Sequence, residues 1–156
     1  NWNAEARRRR APVRGEEDLI AAMGRAPSIG IVIVAHGGLA REYLSAVEHV
    51  LGRLQGVRAV SIEPDHDRAA KEAEIRAAAA AVDEGAGVAV VTDLFGGSPS
   101  NLSLLACNNG DRRILYGANL PMLIKLAQSR DLSLVEAVEA AANAGRKYID
   151  SREIRR

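Results

Sequence analysis

The segment IGIVIVAHGG, Ile29 to Gly38, runs from apolar and glycine residues through Ala35 into a histidine and then two glycines. A continuous β-branched run of this kind is expected of a strand buried on both faces, as in a parallel sheet. Glycines directly behind it permit a tight turn and a close approach of backbone to a ligand. His36 thus falls at the carboxyl end of a strand, where open α/β sheets place their chemistry. On this segment alone, a histidine that merely satisfies hydrogen bonds beside a turn fits equally well. The loops further along have to separate the two readings.

Downstream, Leu39, Tyr43, Leu44, Val47, Val50 and Leu51 recur at helical spacing, and Gly52 is a stop. The alternating run Val57 to Ile62 predicts a second strand. Asp65 or Asp67 can cap the next helix, an Ala-rich stretch to about Glu84, with Gly85 and Gly87 behind it. Val88 to Thr92 predicts a third strand. It leads into DLFGGSPSN, Asp93 to Asn101, where Ser98 is expected as helix cap and Pro99 as first helical residue. Asn108 to Gly110 closes that helix, and Arg113 to Tyr116 predicts a fourth strand before GANLP, Gly117 to Pro121. Two helices follow, Leu120 to Gln128 and Ser133 to Ala144, the second opened by a Ser133/Glu136 capping box and ended by Gly145. Lys147 to Ile149 is expected to add a short edge strand.

Strands alternating with helices imply an α/β fold: a doubly wound, mainly parallel sheet with helices on both faces and right-handed crossovers. The expected strand order is the flavodoxin-like 2-1-3-4, with a possible antiparallel edge strand from the C-terminus. In that order, with strands one and three as neighbours, the loops after strands one, three and four converge.

Upstream, residues 1–28 carry six arginines against four acids, including the run RRRR at Arg7–Arg10. Glu16 to Met23 fits a short helix that Pro27 separates from the strand. The segment is otherwise without helical or strand period and is expected to be a disordered or non-native arm. Residues 29–150 are expected to form the domain, and 151–156 a charged tail.

The rest of the chain holds 15 basic and 16 acidic side chains, a near-neutral body that argues against nucleic acid as main partner. Hydrophobic and charged fractions of 47% and 26% are those of an ordinary globular protein, and no apolar run approaches a membrane span. One cysteine, Cys107, excludes an internal disulfide and a Cys-based zinc site, and fits a reducing, cytoplasmic compartment.

The loops after strands one, three and four supply His36, Asp93, Ser98 and Asn119. A neutral imidazole provides a nitrogen nucleophile or base. A carboxylate such as Asp93 can hold one ring N–H, fix the tautomer and stabilise the imidazolium formed when the other nitrogen attacks. Gly37, Gly38, Gly96 and Gly97, with helix starts behind them, offer N–H groups to an anion. The competing structural reading is that Asp93 and Ser98 only cap the third helix. No G-x-x-x-x-G-K-[ST] or G-x-G-x-x-G follows a strand, so a nucleotide is not held in those ways. A hydrolase using Ser98 and His36 lacks the G-x-S-x-G elbow. His49 and His66 have no spaced partners, and no metal site and no cofactor is expected.

These residues resemble the mannose-type (mannose/fructose/sorbose) IIA domains of the bacterial sugar phosphotransferase system. The resemblance spans Ile29 to Gly145 and rests on the histidine-glycine pair, on DLFGGSPSN and on GANLPML, in order at successive strand ends. It implies that His36 accepts a phosphoryl group from a histidine of the carrier HPr, and that Asp93 pairs with the imidazole. It further implies that Gly37, Gly96, Gly97, Ser98 and Asn119 bind the phosphoryl group. A homodimer with a C-terminal strand crossing to the partner sheet is implied too, as is a separate IIB-type or regulatory protein as acceptor. Ala35 stands where the family often has a hydroxyl, and Phe95 where it usually has Trp. Two rival readings carry their own implications: a phosphotransfer subunit of a dihydroxyacetone kinase, and a non-catalytic signalling module in which His36 only orders a ligand loop.

Overall fold

The computed structural model describes residues 26–108 and 110–155. The short helix expected at Glu16–Met23, most of the expected arm and Asn109 lie outside them. Strands β1 (Gly30–His36), β2 (Val57–Ile62), β3 (Val88–Thr92) and β4 (Arg112–Leu115) form one sheet in the order β2-β1-β3-β4. Every pairing is parallel, with Val34 opposite Val60 on one side of β1 and opposite Thr92 on the other. The expected architecture and strand order are those of the molecule.

Alternation along β1 builds two cores at once. Ile31, Ile33 and Ala35 face one side, where α1 (Leu39–Leu51), α4 (Leu120–Gln128) and α5 (Leu134–Lys147) pack through Val47, Leu123, Leu126 and Ala141. Val32 and Val34 face the other, under α2 (Arg68–Val82) and α3 (Ser98–Ala106), with Ile75, Ala79 and Leu102. Side chains buried on both faces explain why β1 is an uninterrupted apolar run. Each fully buried Ile or Val is worth about 1.5–3 kcal/mol of transfer free energy. Because α1 leaves β1 toward one face and α3 leaves β3 toward the other, a crevice opens between their loops.

Some local expectations are corrected. The cap of α3 is Gly97, extended at φ −89° and ψ 178°, and Ser98 is already helical. Gly97 takes that place because it packs against the His36 ring, where a Cβ would stand 3.2 Å from Cε1. Of the two expected candidates, Asp67 is the cap of α2, its carboxylate accepting from the Ala70 N–H at 2.9 Å. That helix stops at Val82, and Asp83 takes up the Gly85 N–H.

The strand expected at Lys147–Ile149 is not formed: α5 runs through Gly145 to Lys147. Gly145 is not a stop but a close approach, since a Cβ there would lie 3.1 Å from both Asn119 Nδ2 and Met122 Cβ. Arg146 and Lys147 then sit in the last turn, where cations suit the helix dipole.

Candidate active site

His36 ends β1 and Asp93 follows β3, two neighbouring strands, so register alone brings them together. The ring Nδ1 lies 2.9 Å from Asp93 Oδ2, and the same oxygen accepts the His36 backbone N–H at 3.0 Å. The other carboxylate oxygen, Oδ1, accepts from the Leu94 N–H at 2.9 Å. The His36 side chain is 48% exposed and that of Asp93 only 9%. Burial alone would raise the Asp93 pKa; hydrogen bonds from the His36 backbone and ring, the attraction His36 exerts when its ring is protonated, and the Leu94 N–H together outweigh it. The carboxyl is held below its ordinary value. An ionised carboxylate only accepts, so Nδ1 is the protonated ring nitrogen and Nε2 keeps its lone pair.

The glycines divide by purpose. Gly37 and Gly96 adopt φ of +56° and +85°, left-handed geometry that other residues resist. Gly97 is needed for space against the ring. Neither α1 nor α3 has a side chain on its first amides, since Gly38 and Gly97 are their caps. Both helix starts therefore keep N–H groups free beside the imidazole, an arrangement suited to an anion.

Neither Asp93 nor Ser98 caps α3. Ser98 is exposed at the first turn of α3, next to Gly97. Asn119 is engaged elsewhere: its Oδ1 accepts from the Met122 N–H at 3.0 Å, capping α4, and its Nδ2 donates to the Gly145 carbonyl at 3.3 Å. It organises the loop after β4 rather than the ring. Ala35 is wholly buried in the layer under α1 and α4, so the side chain at that position faces the core. His66 Nδ1 lies 2.8 Å from the Glu63 carbonyl, a loop contact, and His49 is exposed on α1.

Several supporting residues escaped the sequence reading. Thr92 Oγ1 donates to the Leu94 carbonyl at 3.2 Å, and Ser100 Oγ accepts from the Gly96 N–H at 3.1 Å, fixing the glycine loop from both ends. Tyr43, which helical spacing assigns to the core, donates its hydroxyl to the Ala118 carbonyl at 2.9 Å and ties α1 to the loop after β4. Burial, then the charge of Asp93, pushes the Tyr43 phenol up. A tyrosine in an apolar stripe is the one available hint, because its polar end needs a partner. Phe95, 79% exposed in the loop after β3, stands edge-on to Tyr116 with ring centroids 5.0 Å apart.

Among the described residues, no group of three His, Cys, Asp or Glu side chains is placed to hold a metal ion. No described helix is long and apolar enough to cross a membrane.

The chain matches the family model EIIA-man, described as PTS system fructose IIA component, over residues 30–143. It is 31% identical over 125 residues to the PTS system mannose-specific EIIAB component of Escherichia coli (strain K12), covering 78% of this chain but 39% of that protein. The chain therefore spans well under half the length of that curated relative. A crystal structure of phosphotransferase system component EIIA from Streptococcus agalactiae superposes with a TM-score of 0.67 at 27% identity, covering 79% of this chain and 96% of that one. The mannose/sorbose specific IIA subunit of the phosphotransferase system from Enterococcus faecalis gives a TM-score of 0.74 at 22% identity, over 83% of this chain and 98% of that one. The latter is a likeness of fold.

Proposed function

The chain belongs to the EIIA-man family of phosphotransferase-system IIA components, and from that premise we propose that it carries a phosphoryl group on Nε2 of His36. The observation that carries this reading is the 2.9 Å contact between Nδ1 and Asp93, which leaves Nε2 of a half-exposed ring as the nucleophile. The donor is a phosphohistidine on HPr. The Nε2 lone pair attacks phosphorus in line as the donor N–P bond breaks, and the donor nitrogen keeps that bond's electron pair. His36 becomes an N-phosphoryl imidazolium whose Nδ1 proton stays on the hydrogen bond to Asp93, so no proton transfer is needed. Asp93 offsets the new ring charge, and the free amides of Gly97, Ser98 and the α1 start face the phosphoryl oxygens. The glycine loop makes these donors available without reorganisation. The reverse step passes the group to a separate IIB-type or regulatory protein.

Incubation with enzyme I, HPr and phosphoenolpyruvate is expected to place acid-labile phosphate on the wild type and none on His36→Ala. Equal labelling of both proteins overturns the assignment. Replacing HPr by a nucleotide-binding kinase subunit in the same assay tests the dihydroxyacetone-kinase alternative.

The carrier domain is taken to be residues 29–150, followed by a charged tail, and to act as a homodimer. The outer edge of β4 has no strand partner among the described residues, and Tyr148, Ile149 and Ile154 are exposed beyond α5. An open strand edge beside apolar side chains favours pairing with a second chain. Sedimentation of the purified chain as a monomer would remove this part of the proposal.

A further inference from the structure

Arg41 occupies the first turn of α1, five residues after His36, where a cation opposes the helix dipole. Arginine is a poor choice there unless a negative charge arrives. Its side chain is exposed, and among the described residues no carboxylate lies within ion-pair distance of it. Nor does it reach out along the helix. A Cβ on Gly38 would lie 3.9 Å from Arg41 Nη2, so the guanidinium rests over the turn that follows His36. Gly38 has φ −85°, which any residue can adopt, so its lack of a side chain is a matter of space and not of backbone strain.

Charge around the ring gives this placement a use. Asp93 already puts one negative charge against Nδ1, and a phosphoryl group on Nε2 adds roughly two more at neutral pH. Lys71, another cation of this end of the sheet, is occupied, with Nζ 2.9 Å from Glu74 and 3.3 Å from Glu63. Glu63 is held below its ordinary pKa first by a hydrogen bond from its own backbone and then by Lys71, with the charge of Arg41 the smallest of the contributions. The Arg41 fork thus rests over the turn that follows His36 with no carboxylate in ion-pair distance among the described residues, and a guanidinium matches phosphoryl oxygens in geometry as well as charge.

We propose that Arg41 is a phosphoryl-binding residue of this site, its guanidinium closing over the Gly37–Gly38 turn onto the phosphoryl group of phosphorylated His36. The inference rests on the carrier reading and deepens it. Gly38 keeps the path between the two open.

The test uses phosphoramidate, which transfers its phosphoryl group to imidazole and releases ammonia, so that no partner protein is involved. The phosphorus resonance of phospho-His36, assigned by its absence in His36→Ala, is titrated in the wild type, Arg41→Gln, Arg41→Lys and Gly38→Leu. Loss of the neighbouring cation in Arg41→Gln is expected to raise the second ionisation of the phosphoryl group by roughly one pH unit. Phosphorylation from HPr is expected to fall about tenfold, the low end for a charge-assisted hydrogen bond at an open site. Arg41→Lys should restore part of the shift, and Gly38→Leu should reproduce it with Arg41 intact, by filling the gap. A labelled wild type whose Arg41→Gln variant titrates identically overturns the role of Arg41 alone. No label on wild-type His36 from either phosphoramidate or HPr overturns the carrier reading and this inference with it.

Discussion

The two ends of the sheet use the same materials, a charged side chain against strand-end backbone, to opposite purposes. At the carboxyl end, His36 and Asp93 meet in a shallow, open site, and the imidazole keeps one nitrogen uncommitted. At the amino end, Arg130 spends its donors on main chain: Nε on the Ile29 carbonyl at 2.6 Å, Nη1 on Gln55 at 2.6 Å and Nη2 on Gly56 at 3.4 Å. Its own carbonyl accepts from the Ile29 N–H at 3.1 Å, closing a bracket around the starts of β1 and β2. A cleft of about 550 Å³ lies there, lined by Arg53, Gln55, Glu84 and Arg130. What separates a site from a brace here is not the cavity but whether the polar groups already have partners.

Asp93→Asn should break the comparison at the reactive end. An amide can donate to Nδ1 as well as accept, which moves the ring proton to Nε2 and removes the nucleophilic lone pair. The rate of phosphorylation by HPr should fall about 10³-fold or more, by analogy with loss of tautomer control in other histidine sites. Rapid-quench labelling measures it, and a variant within tenfold of wild type would show that Asp93 does not set the tautomer. Arg130→Ala should break it at the other end. Three carbonyls lose a shared partner and a half-buried side chain is removed, at a cost of about 2–4 kcal/mol in chemical denaturation. Labelling per folded molecule should be unchanged. Reduced labelling in folded Arg130→Ala would mean that the two poles are coupled.

The meeting of His36 with Asp93 was largely legible in the sequence, and the brace was not. A β-branched run into His-Gly-Gly and a short apolar strand into Asp-Leu-Phe-Gly-Gly are local signals, and the parallel alternation places their ends side by side. The bracket depends on Arg130 meeting carbonyls of residues 29, 55 and 56, remote in sequence and carrying no side-chain signature. Gly145 misled for a related reason: a helical glycine admitted by close packing on Met122 looks the same in a sequence as a helix stop. At Ser98-Pro99 a sound capping rule lost to a contact across the sheet, because the residue against the His36 ring had to be Gly97. Asn119 was placed in the right loop but has both ends of its carboxamide occupied. Sequence revealed which loops meet; only coordinates show which donors remain free.

Acid sharpens the same contrast by a smaller amount. Each pole holds a carboxyl below its ordinary pKa. For Asp93, hydrogen bonds from His36 and Leu94 outweigh burial; for Asp83, the Gly85 N–H and then Arg112, 2.8 Å away, lower it. A carboxyl whose folded pKa is depressed stabilises the fold above its unfolded value near 4, and that contribution disappears as pH falls through the folded value. Stability should therefore decline below about pH 4, by at most about 1.4 kcal/mol per pH unit for each such group. Asp83→Asn and Asp93→Asn should each make the acid limb of denaturation shallower, because neither variant has that proton to take up. Phosphoryl transfer at neutral pH should distinguish them, near wild type in Asp83→Asn and all but lost in Asp93→Asn. Two carboxylates shifted in the same direction thus differ in what they hold: Asp83 an arginine that also donates to the Asp111 carbonyl, and Asp93 a ring whose other nitrogen has no hydrogen-bond partner among the described residues.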